Sequence, residues 1–193
     1  MRLTPTLLLD AYCRGYFPMA EEDGAVYWYD PDPRAVLPLD GLHVPRSLRQ
    51  RMRRPDYEVR CDTAFREVLR ACAAPAPGRE KTWISGEFID LYSRLHDLGL
   101  AHSVETWMEG RLVGGLYGVA IQGLFAGESM FSRRTDASKI ALVRLVERLR
   151  DRGYSLLDVQ FTTDHLRRFG VVEIPRTRYR TLLAEALTRE ARF

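Results

Sequence analysis

Residues 112–133 read LVGGLYGVAIQGLFAGESMFSR, and this stretch decides the fold. Two apolar runs of strand length, 112–121 and 124–131, flank the turn dipeptide Gln122-Gly123, so they predict two strands and a tight turn. Immediately upstream, 103–107 (SVETW) is a third strand, joined through Glu109-Gly110. Downstream the period becomes helical. Residues 137–152, ASKIALVRLVERLRDR, put Leu142, Leu145, Val146 and Leu149 on one face, and Gly153 closes the helix. A buried strand follows at 156–161. An antiparallel meander, a crossover helix and a further strand make an α+β sheet with helices on its faces.

Working outward, residues 5–16 predict a helix, with Leu8, Ala11, Tyr12 and Tyr16 at helical spacing. Pro31, Pro33 and Pro38 forbid a long helix in 21–41, which reads as a structured loop or joint. Residues 45–54 predict a short basic helix and 56–61 a strand. Residues 63–73 predict a helix capped by Thr63, and 74–80 a Pro/Gly loop. A further helix at 86–98 turns Phe88, Leu91, Tyr92, Leu95 and Leu98 inward. A short helix at 164–169, a strand at 171–174 and a helix at 177–189 complete the chain. The expected organisation is a small N-terminal unit, 1–36, followed by a larger domain, 37–193. Its element order resembles that of GNAT-type acyltransferases, with a mainly antiparallel central sheet and chemistry where adjacent central strands splay apart.

Composition narrows the class. The 193 residues are 46% hydrophobic and 28% charged, which excludes a disordered or collagen-like chain. The net charge of +3 permits a polyanionic partner without requiring one. Of the 29 basic residues only Lys81 and Lys139 are lysines. Cys13, Cys61 and Cys72 are widely spaced, so they read as reduced thiols in a cytoplasmic protein. The apolar run 7–9 is too short for a signal peptide, and no segment approaches a membrane span.

None of the four histidines has metal-ligand spacing, and no metal is expected. The chain has no GxSxG, P-loop or GxGxxG motif. Gly114, Gly115 and Gly118, inside a strand, read as places of close backbone approach. Two polar clusters lie beside apolar strands. In GESMFSR (127–133), Glu128 is either a functional carboxylate or part of a strand-to-loop junction paired with an arginine. In LDVQ (157–160), Asp158 and Gln160 share a strand face. They are either a catalytic or binding pair, or a structural pair satisfied by arginine and backbone groups. Arg46, Arg49 and Arg53 lie on one face of the basic helix, a solvated surface or a track for phosphates.

These segments also carry a family resemblance. YCRGYFPM (12–19), DPDPRAVLPLDGLHVPRSL (30–48), LHDLGLAHSVETW (95–107), GESMFSR (127–133), DASKIAL (136–142) and LLDVQFTTDHLRRFGVVEIPR (156–176) resemble the bacterial leucyl/phenylalanyl-tRNA–protein transferases. The resemblance implies transfer of Leu, Phe and, less well, Met from aminoacyl-tRNA to proteins beginning with Arg or Lys. That transfer marks the acceptor for N-degron degradation. The resemblance implies no cofactor. It agrees with the loop SRRTDASK, which lacks the glycine-rich pyrophosphate cradle of CoA-using relatives. It implies that Leu116, Phe125, Met130, Leu142, Leu145 and Leu157 wall an apolar side-chain pocket. Trp83 would stack on the terminal adenosine of tRNA, with Met19 standing where many members carry a second aromatic. Asp158 and Gln160 would form the reaction centre, with Glu128 close by; an acceptor's positive first side chain needs a carboxylate, and Glu128 is the candidate. The tRNA backbone would follow Arg46, Arg49 and Arg53. The chain is expected to act as a monomer, without DNA or membrane, and to lack the extension that members carry before residue 5. An acetyl-CoA N-acetyltransferase and a non-catalytic RNA-binding module are the competing readings.

Overall fold

The computed structural model describes residues 3–21, 24–76 and 82–193. Residues 77–80 of the expected Pro/Gly loop and 22–23 of the expected joint lie outside them. The first helix, α1 (Pro5–Cys13), starts at Thr4, whose hydroxyl accepts from the Leu7 amide at 3.2 Å. It ends at Cys13 rather than 16, because the chain turns at Gly15 with φ +89°. Part of the stretch 21–41, expected to be a loop or joint, forms strands instead, as do residues 17–20 just before it. β1 (Phe17–Ala20) and β2 (Val26–Tyr29) pair antiparallel as a separate ribbon. β3 (Arg34–Val36) fits between Pro33 and Pro38, so no proline interrupts its ladder.

The remaining elements follow the predicted order: α2 (Arg46–Met52), β4 (Glu58–Cys61), α3 (Phe65–Ala73), α4 (Gly86–Asp97), β5 (Ala101–Met108), β6 (Arg111–Ile121), β7 (Leu124–Ser132), α5 (Ala137–Asp151), β8 (Leu156–Gln160), α6 (Asp164–Arg167), β9 (Val172–Ile174) and α7 (Arg176–Ala186). The main sheet runs β4-β5-β6-β7-β8-β3-β9. Among the described residues only β7 and β8 pair in parallel, across the α5 crossover; every other neighbouring pair is antiparallel. β3 lies between β8 and β9, so the strand just before the expected boundary at residue 36 pairs in the sheet that follows it.

Helices cover both faces. α1, α3 and α4 contribute Tyr12, Phe65, Leu69, Phe88 and Tyr92 to one core. α5 contributes Leu142, Leu145, Val146 and Leu149 to the other. α5 approaches β6 closely because position 114 has no side chain. A Cβ on Gly114 would meet that of Ala137 at 2.4 Å, as the close-approach reading requires.

Two local expectations change. Thr63 does not cap α3. Its hydroxyl donates to the buried Glu105 carboxylate, which also accepts the Ala64 amide at 2.8 Å and so ties the chain just before α3 to β5. Leu98 is 63% exposed rather than inward, because it lies past the end of α4, where Gly99 turns the chain with φ +72°.

Candidate active site

β7 and β8 pair through Leu124↔Leu156, Phe125↔Leu157 and Ala126↔Asp158, and then separate. A register shift between Tyr117 and Gly118 bends β7 against β6 at the same level. β8 ends in a tight turn. Gln160 has φ +60°, and the Phe161 amide donates to the Val159 carbonyl at 2.7 Å. The fork between the strands holds a cavity of about 330 Å³. Leu116, Met130, Leu142, Leu145 and Leu157 form its wall on the α5 side. Phe17, Met19 and Trp83 approach from the other core, and Glu128 and Gln160 stand between.

Five of the six residues expected in the apolar pocket therefore line it. Phe125 does not. It is fully enclosed below the fork, where the strands are still paired, with its ring against the missing side chain of Gly118, 5.5 Å from Phe193 and 6.4 Å from Tyr154.

Gln160 reaches the cavity, but Asp158 does not. The Asp158 carboxylate is fully buried one layer behind. Its Oδ1 accepts from Arg34 Nε at 2.9 Å and from the Gln160 amide at 3.0 Å. Its Oδ2 accepts from Arg34 Nη2 at 2.6 Å and the Tyr179 hydroxyl at 2.9 Å. With four donors, its oxygens are committed to holding the strand end, and of the pair only Gln160 lines the cavity.

Glu128 is half-buried at the cavity wall and pairs with two tyrosines, not with an arginine. Tyr12 donates to Oε1 at 2.7 Å and Tyr92 to Oε2 at 3.0 Å, and the two hydroxyls are 2.8 Å apart. The Gln160 side-chain amide also donates to Oε1, at 3.4 Å. Burial pushes the Glu128 carboxyl up to about 7; the tyrosine hydrogen bonds and Arg34 oppose the rise, and Asp158 adds to it. Burial beside this carboxylate drives both tyrosines well above their ordinary range, so they remain neutral donors. Tyr12 and Tyr92 were legible as inward helix positions. The missed signal was that a buried tyrosine hydroxyl needs a partner.

Trp83 stands edge-on to Phe88 at 5.4 Å and Tyr92 at 6.5 Å, with Met19 on the same cavity. Arg46 and Arg49 are exposed along α2, which Leu48 anchors to the core, Arg53 is exposed just past its end, and none of the three lines the cavity. Among the described residues, no helix is long and apolar enough to cross a membrane.

A meander, a crossover helix and a forked parallel pair opening onto an apolar cavity define a GNAT-like fold. The structure of L-PGS from Bacillus licheniformis shares it, with a TM-score of 0.50 at 16% identity over 82% of this chain and 66% of that one. The family described as leucyl/phenylalanyl-tRNA protein transferase matches residues 36–184, and its N-terminal domain matches 1–32. The leucyl/phenylalanyl-tRNA–protein transferase of Herpetosiphon aurantiacus is 58% identical over 193 residues, covering 100% of this chain and 98% of that relative. The one from Paramagnetospirillum magneticum is 54% identical, covering 99% and 92%. The chain belongs to this family of aminoacyltransferases.

Proposed function

We propose that this chain moves Leu, Phe and, less well, Met from aminoacyl-tRNA onto the N-terminal Arg or Lys of acceptor proteins, as a monomer in the cytoplasm, marking them for N-degron degradation. The observation carrying this reading is the apolar fork cavity with the Glu128–Gln160 pair at its polar edge. Five aliphatic or thioether side chains suit an unbranched or γ-branched apolar residue. An apolar pocket separates such residues weakly, since one methylene is worth about 1–3 kcal/mol.

Aminolysis of the ester requires little activation. The acceptor's α-amine has a pKa near ~8, so a fraction is neutral at pH 7. It attacks the ester carbonyl; the N–C bond forms, the C–O bond to ribose breaks, and the amine proton ends on the ribose oxygen. Holding both reactants together supplies roughly 7–11 kcal/mol. The Gln160 Nε2 turns one of its two protons to Glu128, and the amide oxygen accepts from the amine and aims it. Glu128 meets the positive charge of the acceptor's first residue. Asp158 acts behind Gln160, as a positioning residue. Trp83 and Met19 offer a surface to the terminal adenosine, and Arg46, Arg49 and Arg53 follow the tRNA backbone.

The test is incubation with radiolabelled Leu-tRNA and an Arg-start protein. Acid-stable label on the protein is the expected result. No label with Arg-start or Lys-start acceptors would overturn the reading.

A further inference from the structure

Arg34 is fully buried on β3, and it is the point where three parts of the chain meet. Its guanidinium donates twice to Asp158, at 2.9 and 2.6 Å. It also donates to the Gly15 carbonyl after α1 at 2.9 Å and to the Tyr179 hydroxyl of α7 at 3.3 Å. Two rings enclose it, Tyr179 at 4.3 Å and Phe17 at 4.8 Å. The Tyr179 hydroxyl donates its own proton to Asp158 at 2.9 Å. Asp158 in turn accepts the Gln160 backbone amide at 3.0 Å, and Gln160 has φ +60°. A residue bearing a Cβ enters that region only when its surroundings hold it there.

We propose that Arg34 and Tyr179 are positioning residues for aminoacyl transfer. Through Asp158 they lock the left-handed turn that aims the Gln160 amide into the cavity, and through its ring contact Arg34 also holds Phe17 on the cavity wall. Neither side chain lines the cavity. A buried ion pair is a poor source of stability, because apolar residues of similar volume often serve as well. What this bidentate pair adds is geometry: a planar fork fixes both carboxylate oxygens, and Oδ1 then fixes the Gln160 amide. The inference rests on the reading of Gln160 as the group that aims the amine, so its test separates the two.

Tyr179→Phe keeps the ring over Arg34 and deletes only the hydroxyl that Asp158 accepts. The expected result is a kcat about tenfold lower, with KM for Leu-tRNA and for an Arg-start peptide unchanged, the pattern of an interaction used in the transition state. In a Gln160→Ala background the same substitution is expected to change kcat no further, because the residue being positioned is gone. Arg34→Ala is expected to lose turnover, and added guanidinium ion to restore part of it. If Gln160→Ala itself retains wild-type turnover, the reading of Gln160 is wrong. If Gln160→Ala loses turnover but Tyr179→Phe keeps its kcat, or lowers it equally in both backgrounds, the positioning role is overturned and the reading of Gln160 survives.

Discussion

The side-chain amide of Gln160 donates to Glu128 Oε1 across the fork between β8 and β7, at 3.4 Å. Each residue lies two positions beyond the last β7–β8 pair, Ala126↔Asp158, so this hydrogen bond spans the gap that opens between those two strands. It fixes which end of the amide faces a substrate. With Nε2 turned to the carboxylate, the oxygen is the free end, and it can only accept. An amine is a donor, so an amine nucleophile in the cavity would find in this oxygen an acceptor that could aim it.

Gln160→Ala is therefore expected to lower kcat by about 10²-fold with little change in KM for Leu-tRNA, because the aminoacyl pocket remains intact. Gln160→Glu is expected to fail as a substitute, since two carboxylates facing each other across the fork repel. Steady-state kinetics with Arg-start peptide check both. Wild-type kcat in Gln160→Ala would remove the residue from the mechanism.

Much of this arrangement was legible in the sequence. The strand-turn-strand period of 112–131 and the helix at 137–152 fixed the meander and crossover, and GESMFSR and LDVQ marked the two strand ends. Strand alternation also set Asp158 and Gln160 together. It could not tell that Asp158 spends its oxygens on Arg34, Tyr179 and the Gln160 backbone, because Arg34 lies 124 residues away in a Pro-rich stretch that reads as loop. Phe125 was misplaced for a related reason. Strand position says which residues are apolar, whereas the height at which β7 and β8 part decides which of them face space. Tyr12 and Tyr92 were hidden because an inward tyrosine looks the same as an inward phenylalanine until its hydroxyl partner is known.

The apolar wall predicts how specificity shifts. Leu145 is 1% exposed and lines the cavity from α5. Leu145→Ala deepens the pocket, so the ratio of kcat/KM for Phe-tRNA over Leu-tRNA is expected to rise several-fold, within the limit of about 1–3 kcal/mol for a methylene-sized change. The same substitution removes core packing, and unfolding free energy is expected to fall by about 2–5 kcal/mol. Competition between the two aminoacyl-tRNAs measures the first effect and denaturant unfolding the second. An unchanged ratio would mean that the transferred side chain lies elsewhere.

The exposed arginines of α2 make a separate prediction. Replacing Arg46, Arg49 and Arg53 together by alanine is expected to weaken tRNA binding and to flatten its salt dependence. The slope of log K against log salt should fall by about 1 for each phosphate that is no longer neutralised. Turnover at saturating tRNA is expected to stay near wild type, because α2 does not line the cavity. Filter binding across a salt series checks this, and an unchanged slope would take the tRNA backbone away from α2.

Glu128 ties stability to pH in a direction opposite to the usual carboxylate. Burial raises its carboxyl to about 7 in the folded chain, against an ordinary value of 4.5. The folded state therefore binds the proton more tightly than the unfolded state between those values. Its contribution is fully present below about pH 4.5 and is lost as the pH rises through 7. Because the carboxylate borders an open cavity, the loss is expected to be on the order of 1–3 kcal/mol. Glu128→Gln keeps an acceptor for one tyrosine and removes the charge, so its unfolding free energy is expected to exceed wild type at pH 8 and to converge with it near pH 5. The same variant is expected to lose affinity for Arg-start peptides at pH 8, where wild type is ionised. Stability would then rise as acceptor binding falls, the signature of a carboxylate kept in an unfavourable place for the charge it meets. Parallel pH dependence of unfolding in the two proteins would show that Glu128 titrates normally and that the tyrosine pair, not the carboxylate, governs this edge of the cavity.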